Sequence, residues 1–290
     1  MIAGCNIQLE KQYTIVGWRH KIGRKEVITV ATEQADVRVQ VANGLSLSTG
    51  LLNLIDEVVR IPLSLMMLTQ EVPRGNREPM MCIQGLGRPW WDMELMNNWL
   101  AWIGYSPIQP DLVLNVECPE RTTRRLAQTV CRVVEQSETP LCLLGHSLGG
   151  LLAKAIEASV PEGYVSGVFL LGSPLKQIRI HRLMDIAARG LGFANNILLG
   201  TERGCFRGRC DCQFMSDVRS SLRDKVLYVS LFTKRDQIAE WDGCLLDEGP
   251  NRKNIEVRGT HLLLPSNPQV LLHIANLLPQ IFSRETVATA

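Results

Sequence analysis

The segment 141–150 limits the folds open to this chain more than any other part of the sequence. It begins with a run of four apolar residues, passes through Gly-His-Ser-Leu-Gly-Gly around Ser147, and leads into the helix-like run 151–156. This order predicts a buried strand, a very sharp turn at the serine and a helix. Because such a turn strains the backbone at Ser147, the small residues Gly145 and Gly149 on either side are needed to leave room for it.

Ser147 is therefore a candidate nucleophile. The turn would present its Oγ above the sheet, and the N-terminus of the following helix would favour negative charge nearby. A serine hydroxyl is a weak nucleophile at its own pKa, so it needs a base and a group that orients the base. In a strand–turn–helix arrangement of this kind, the acid and then the histidine follow the serine along the chain.

Of the five histidines, only His261 and His273 lie late enough to follow a separate strand that carries the acid. His261 comes after the strand-like run 254–257 and a glycine turn, which predicts a loop at the carboxyl end of a strand. His273 lies within the helix-like run 268–278, so we expect an ordinary helix residue there. His261 is therefore the predicted base. His146, at the variable position of the turn, is expected to be a packed, hydrogen-bonded structural residue rather than a second base.

The acid is expected directly after the apolar, β-branched run 226–232, and Asp236 is the first carboxylate that follows this run. Further along the same loop lie three competing carboxylates: Glu240, Asp242 and Asp247. A solvated loop charge beside two basic residues is the alternative interpretation of Asp236. The order strand, acid, strand and histidine favours Asp236 as the group that orients the base.

Two backbone N–H groups are needed to bind the oxyanion of an acyl-transfer intermediate. One comes from the residue after the nucleophile, Leu148, and the other from the loop after an earlier strand. The short apolar run 79–83 predicts that strand, and Gln-Gly-Leu-Gly follows it at residues 84–87. Because Gly85 lets the backbone turn an N–H inward, we expect Leu86 to be the second donor.

With these segments in place, the chain resembles the α/β-hydrolase superfamily, specifically the bacterial lipase-like and esterase-like group with a GHSLGG nucleophile elbow. The resemblance runs from roughly residue 79 to residue 282. Besides the elbow and the oxyanion segment, it includes a helix over 90–104, the Asp-x-Ile loop at Asp236, and the Gly-Thr-His sequence that ends at His261. Many relatives carry His-Gly before the oxyanion donor, whereas this chain has Gln84-Gly85.

The resemblance implies an α/β-hydrolase fold, with a mostly parallel central sheet, helices on both faces and a helical cap insertion. It also implies a lipase-like or esterase-like serine hydrolase that cleaves carboxylic esters through an acyl-enzyme on Ser147, without a cofactor or a metal. The expected partner is a small-molecule or lipid acyl ester. Alternatives are an acyltransferase or a thioesterase on the same fold, a non-catalytic binding protein, and a lipase that makes transient contact with a lipid interface.

The chain length of 290 residues suits one α/β domain over 1–290 with additions. Residues 1–45 form an N-terminal extension with strand-like stretches at 27–30 and 37–41, and residues 45–70 are helix-like. Residues 174–224 interrupt the alternation of strands and helices and predict a cap or lid. Since its Gly/Arg/Cys-rich loop is basic rather than apolar, a rigid cap is favoured over a mobile lid.

Composition excludes some classes of protein. A formal net charge of +2 and the lack of a long basic run argue against a nucleic-acid partner. No run of about 18 uncharged apolar residues predicts a transmembrane helix. The sequence as written shows no export signal, so a cytoplasmic location is expected, although a wrongly assigned start codon would hide such a signal.

Nine cysteines allow more than one interpretation. Cys82, Cys142 and Cys131 lie in predicted strands and a helix, where cysteine behaves as a small hydrophobic residue. A second group clusters around the predicted cap and the acid loop: Cys205, Cys210, Cys212 and Cys244. Unpaired thiols are favoured for this group. A disulfide would need an oxidising compartment, and the spacing does not match the usual zinc pairs.

Overall fold

The computed structural model describes residues 16–22, 25–32, 35–39, 71–176, 212–236 and 238–283. The chain divides into two compact units, Met1–Ser64 and Leu65–Ala290. The first unit contains three strands, β1 (Val16–Ile22), β2 (Lys25–Thr32) and β3 (Ala35–Val39), which form an antiparallel sheet in the order β1-β2-β3. The two strand-like stretches predicted there correspond to β2 and β3.

The described part of the second unit contains a six-stranded sheet. Its strands are β4 (Pro79–Ile83), β5 (Ser106–Ile108), β6 (Leu141–His146), β7 (Val165–Leu171), β8 (Leu227–Phe232) and β9 (Arg252–Glu256). They pair in the order β5-β4-β6-β7-β8-β9, and each neighbouring pair is parallel. Parallel strands read as near-continuous apolar runs when both faces are covered, and β4, β6 and β8 are buried along their whole length.

Helices connect these strands, as parallel pairing requires. The described α-helices of this unit are α1 (Glu94–Trp102), α2 (Pro119–Ser137), α3 (Leu148–Ser159), α4 (Gln213–Arg219) and α5 (Pro268–Phe282). Short 3₁₀ helices occupy Trp90–Met93, Trp241–Cys244 and His261–Ser266. The prediction of one helix over 90–104 was therefore only partly right, because a 3₁₀ turn precedes α1 and the helix ends at Trp102.

A buried cluster of charges fastens α3 to the chain that enters β8. Lys154 of α3 is fully buried, and its Nζ donates to Glu157 Oε2 at 3.2 Å and to Ser220 Oγ at 2.9 Å. Arg223 Nε lies 3.1 Å from the other carboxylate oxygen of Glu157. Burial lowers the pKa of Lys154, and the Glu157 carboxylate opposes that shift. Residues 220–223, which precede β8, are thereby held against α3.

The topology brings the carboxyl ends of β4, β6, β7, β8 and β9 to one edge of the sheet, because parallel strands all end on the same side. The predicted site residues lie at these ends or in the chain segments that follow them. The helix predicted over 45–70 and the cap segment 177–211 lie outside the described residues. The division into one domain with an extension and a cap stays a prediction.

Candidate active site

The turn at Ser147 has the strained backbone expected from the sequence. Ser147 lies between β6 and α3 with φ 54° and ψ −119°, and its N–H donates to Leu171 O at 2.8 Å. A β-carbon on Gly145 would come within 2.2 Å of Gly149 O, and one on Gly149 within 2.1 Å of Ile83 O. Neither position can accept a side chain, because the contacts would be with backbone atoms.

His261 and Asp236 lie together at the same edge of the sheet. His261 Nδ1 is 2.6 Å from Asp236 Oδ2, and the two side chains are 3% and 1% exposed. The other carboxylate oxygen, Oδ1, accepts hydrogen bonds from the N–H groups of Ile238 and Ala239, both at 2.8 Å. With one oxygen held by the backbone, the other is directed at the imidazole, which fixes both the ring orientation and its tautomer.

The loops that carry this pair are joined by a residue that the sequence did not single out. Thr233, buried at the end of β8, donates from Oγ1 to Gly259 O at 3.1 Å, and its backbone O accepts from Asp236 N at 3.1 Å. By contrast, the competing carboxylates are exposed: Glu240, Asp242 and Asp247. Asp247 pairs instead with Lys176 at 2.6 Å, and the Lys176 ammonium lowers the pKa of that exposed carboxyl.

Gly172 shows how the imidazole comes to lie near the serine. This residue follows the end of β7 with φ +56°, and a β-carbon there would lie 3.0 Å from His261 Nδ1 and 3.2 Å from Cε1. The preceding residue, Leu171, accepts the hydrogen bond from Ser147 N. The end of β7 therefore contacts both the ring of His261 and the backbone of Ser147. His273, the alternative base, is an exposed residue of α5.

The predicted oxyanion segment lies against the turn. A β-carbon on Gly85 would come within 3.3 Å of Ser147 Cβ and 3.2 Å of His146 Nδ1. The N–H of Gly87 donates to Asn115 O, in a separate segment, and the N–H of Arg88 donates to Gly85 O within the loop. Within the described part of the chain, neither the N–H of Leu86 nor that of Leu148 donates to a backbone carbonyl.

Two buried amide side chains hold the oxyanion segment, and sequence reasoning missed one of them. Gln84 Nε2 donates to Leu112 O at 2.6 Å, and Asn115 Nδ2 donates to Gln84 O at 2.7 Å. Together with the bond from Gly87 N to Asn115 O at 2.8 Å, these contacts clamp residues 84–87 to the segment 112–115. Asn115 lies in an irregular stretch, so no periodicity or motif in the sequence indicates it.

His146 is buried beneath the site, in agreement with its predicted structural role. Its Nε2 lies 2.9 Å from the backbone O of His261, and the two rings are 4.9 Å apart between centroids. Burial lowers the pKa of His146 to about 3, and the neighbouring His261 and Arg88 add to this effect. The Asp92 carboxylate, which is paired with Arg88, lies 4.0 Å from Nδ1. His146 is thus neutral at ordinary pH.

Of the cysteines that the structure describes, four are buried and two, Cys118 and Cys212, are partly exposed. Cys82, Cys131 and Cys142 are buried in β4, α2 and β6, as expected of small hydrophobic residues. Cys244 is a buried free thiol whose Sγ lies 3.8 Å from Glu240 O, and burial raises its pKa to about 12. Cys205 and Cys210 lie outside the described residues.

Large apolar side chains are exposed beside the predicted oxyanion and histidine segments. They are Trp90, Trp91, Val113, Leu114 and Leu262. The N–H of Trp90 donates to Val113 O at 3.0 Å, and Leu262 directly follows His261. Among the described helices, none combines the length and the apolar character that crossing a bilayer requires.

Comparison with known proteins gives the fold. No protein-family model and no curated protein matches the sequence. Among solved structures, lipase B of Aspergillus fumigatus is similar with 13% identity and a TM-score of 0.50, over 69% of this chain and 54% of that one. This chain thus spans about half the length of that lipase.

A second similar structure is a soluble variant of monoglyceride lipase from Saccharomyces cerevisiae in complex with a substrate analogue. It is 16% identical with a TM-score of 0.50, and the match covers 73% of this chain and 90% of that one. This similarity agrees with two features of the chain: the parallel strand order β5-β4-β6-β7-β8-β9 and the strand–turn–helix at Ser147. The second unit of the chain has the α/β-hydrolase fold, as the sequence predicted.

Proposed function

We propose that the chain is a lipase-like or esterase-like serine hydrolase that cleaves carboxylic esters through an acyl-enzyme on Ser147. The observation that carries the proposal is the 2.6 Å contact between Asp236 Oδ2 and His261 Nδ1. This pair lies at the carboxyl ends of the sheet strands, where Ser147 also occupies its strained turn. A buried carboxylate–imidazole pair beside a strained serine is the arrangement that nucleophilic acyl transfer requires.

In this proposal, His261 Nε2 takes the proton from Ser147 Oγ as the oxygen attacks the acyl carbonyl. Asp236 keeps Nδ1–H in place and stabilises the imidazolium that forms. The N–H groups of Leu86 and Leu148 bind the oxyanion, His261 returns the proton to the departing alcohol, and the acyl group stays on Oγ. Water then attacks the acyl-enzyme with the same base, which releases the acid and restores the serine.

Two features support an apolar acyl ester as substrate. Two of the similar solved structures are a lipase and a monoglyceride lipase. In this chain, exposed apolar side chains border the proposed oxyanion segment at Trp90 and Trp91 and the proposed base at Leu262. Large apolar side chains exposed beside a site suit an apolar ligand, because its binding removes their surface from water.

The test is hydrolysis of p-nitrophenyl esters of increasing acyl length, offered in solution and as an emulsion. We expect wild-type turnover on at least one soluble ester and a loss of about 10⁴-fold or more in Ser147→Ala. Ser137→Ala, an exposed serine at the end of α2, is the matched control and should retain wild-type activity. Equal hydrolysis by wild type and Ser147→Ala would refute the proposal.

A further inference from the structure

His146 adjoins three separate parts of the proposed machinery, one through its backbone and two through its imidazole. Its own backbone leads directly into Ser147, at the end of β6. Its Nδ1 lies 3.2 Å from the position of a β-carbon on Gly85, so the ring packs against the oxyanion segment. Its Nε2 lies 2.9 Å from the backbone O of His261. The nucleophile, the oxyanion segment and the base therefore meet at one residue.

In the hydrogen bond between His146 Nε2 and His261 O, the histidine ring must be the donor. A carbonyl oxygen only accepts, so His146 Nε2 carries the proton and donates. The ring is 1% exposed and neutral, hence it has a single N–H, and Nδ1 carries the lone pair. Nδ1 makes no hydrogen bond to any described residue. The one donor of this ring is thus used on the main chain of the proposed base.

We propose that His146 is a positioning residue: its ring sets the distance between the oxyanion segment and the backbone of His261, and thereby places the imidazole of His261 over Ser147. The inference rests on the function proposed above. His146 touches no reacting atom in this account. It acts through His261, whose side chain is held at one end by Asp236 and whose main chain is held at the other by His146.

Such a support matters because His261 begins a short 3₁₀ helix rather than lying within a regular element. No strand or α-helix ladder holds its backbone. The bond from His146 Nε2 is a long-range contact that reaches it from the nucleophile strand. A shift of about 1 Å in a reacting group costs as much as ~10²-fold in rate, so loss of this bond should lower turnover without weakening substrate binding.

The test compares three substitutions of His146 that differ in reach. His146→Gln places an amide N–H near the position of Nε2, His146→Asn keeps the amide but is too short to reach His261 O, and His146→Leu removes the donor. Cys142→Ala, on the same buried strand, controls for lost packing and should retain wild-type kinetics. The measurements are kcat, KM and the low-field proton NMR signal of the His261–Asp236 hydrogen bond.

We expect kcat to fall about 10- to 100-fold in the Asn and Leu variants with KM within about twofold of wild type, and the Gln variant to recover most of the loss. The His261 proton signal should broaden or shift in the Asn and Leu variants only. If all three variants behave alike, whether active or inactive, the proposal is wrong. It is equally wrong if neither amide variant folds, because the ring would then serve the fold itself.

These outcomes separate the inference from the proposed function. A wild-type protein without esterase activity would remove the proposed function, whereas the NMR comparison of the Gln and Asn variants would still show whether His146 holds His261. An active wild type with an unchanged signal and an unchanged kcat in His146→Asn would remove only the role of His146.

Discussion

Asp236 has each of its carboxylate oxygens committed to a different partner. Oδ1 accepts from two backbone N–H groups, and Oδ2 faces His261 Nδ1. An amide in this place can present only one oxygen, and its NH₂ group would donate where an acceptor is needed. The imidazole would then take the opposite tautomer, with its proton on the nitrogen that should accept from the serine.

Asp236→Asn should therefore lower kcat by about 10³- to 10⁴-fold with little change in stability. Asp242→Asn, an exposed carboxylate of the same loop, should stay within about twofold of wild type, as surface substitutions usually do. Steady-state hydrolysis of a soluble ester measures both. Near-normal turnover in the first variant would exclude Asp236 as the partner of the base.

Substitutions at Gly85 and Leu86 distinguish the role of the backbone from that of the side chains in the oxyanion segment. An alanine at Gly85 would press on Ser147 Cβ and His146 Nδ1, at 3.3 and 3.2 Å, and would push the loop away from the serine. Leu86→Ala keeps the N–H that matters. We expect Gly85→Ala to lower kcat by up to about 10²- to 10³-fold and Leu86→Ala to have a much smaller effect. A larger loss in Leu86→Ala, measured on the same ester, would contradict the assignment of a main-chain donor.

At the scale of elements, the loop after β4 is held in place by hydrogen bonds to the segment 112–115. Asn115→Ala would leave the buried carbonyl of Gln84 without its donor, at a cost of about 1–3 kcal/mol in unfolding free energy. Because the loop would also lose a fixed geometry, kcat should fall. Urea unfolding gives the first quantity, with Asn76→Ala, an exposed asparagine, as the control expected within about 0.5 kcal/mol. Wild-type stability in Asn115→Ala would show that the clamp contributes nothing.

The sequence located most elements of the second unit because their signals are local. Strands β4, β6 and β8 are predominantly apolar runs, so each was predicted close to its observed bounds. The 3₁₀ helix at His261–Ser266 was expected to be a loop. Its few residues and its internal Pro265 give no helical period to detect.

The supporting contacts were not predictable in the same way. Thr233, Asn115 and His146 act on residues far along the chain, through single hydrogen bonds to backbone carbonyls. The type of side chain shows that such a residue can donate a hydrogen bond. No pattern in the sequence shows which backbone carbonyl accepts it. The site residues Ser147, Asp236 and His261 could be proposed because chain order in a parallel sheet carries distant loops to one edge.

At the scale of the whole molecule, buried His146 makes stability depend on pH. Its pKa lies at about 3 in the folded protein and near the ordinary value of 6.5 when unfolded. Between these values the unfolded chain binds the extra proton, so stability is lost as the pH falls. From about pH 6.5 to about pH 4.5, this group should cost roughly 2–3 kcal/mol.

His146→Gln removes that titration, so its unfolding free energy should fall less steeply over the same pH interval than that of wild type. His273→Gln, which replaces an exposed histidine of α5, should follow wild type. Denaturant unfolding at a series of pH values measures the three slopes. Parallel slopes for wild type and His146→Gln would mean that the folded protein does not hold His146 neutral.

The most direct measurement is reaction of the protein with a fluorophosphonate probe, followed by peptide mapping of the adduct. In this reaction, serine Oγ displaces fluoride from phosphorus only when a base removes its proton and nearby N–H groups bind the phosphoryl oxygen. We expect one adduct on Ser147, none in Ser147→Ala, and markedly slower labelling in Asp236→Asn. Wild-type protein that stays unlabelled, or that carries the label on another residue, would contradict the account.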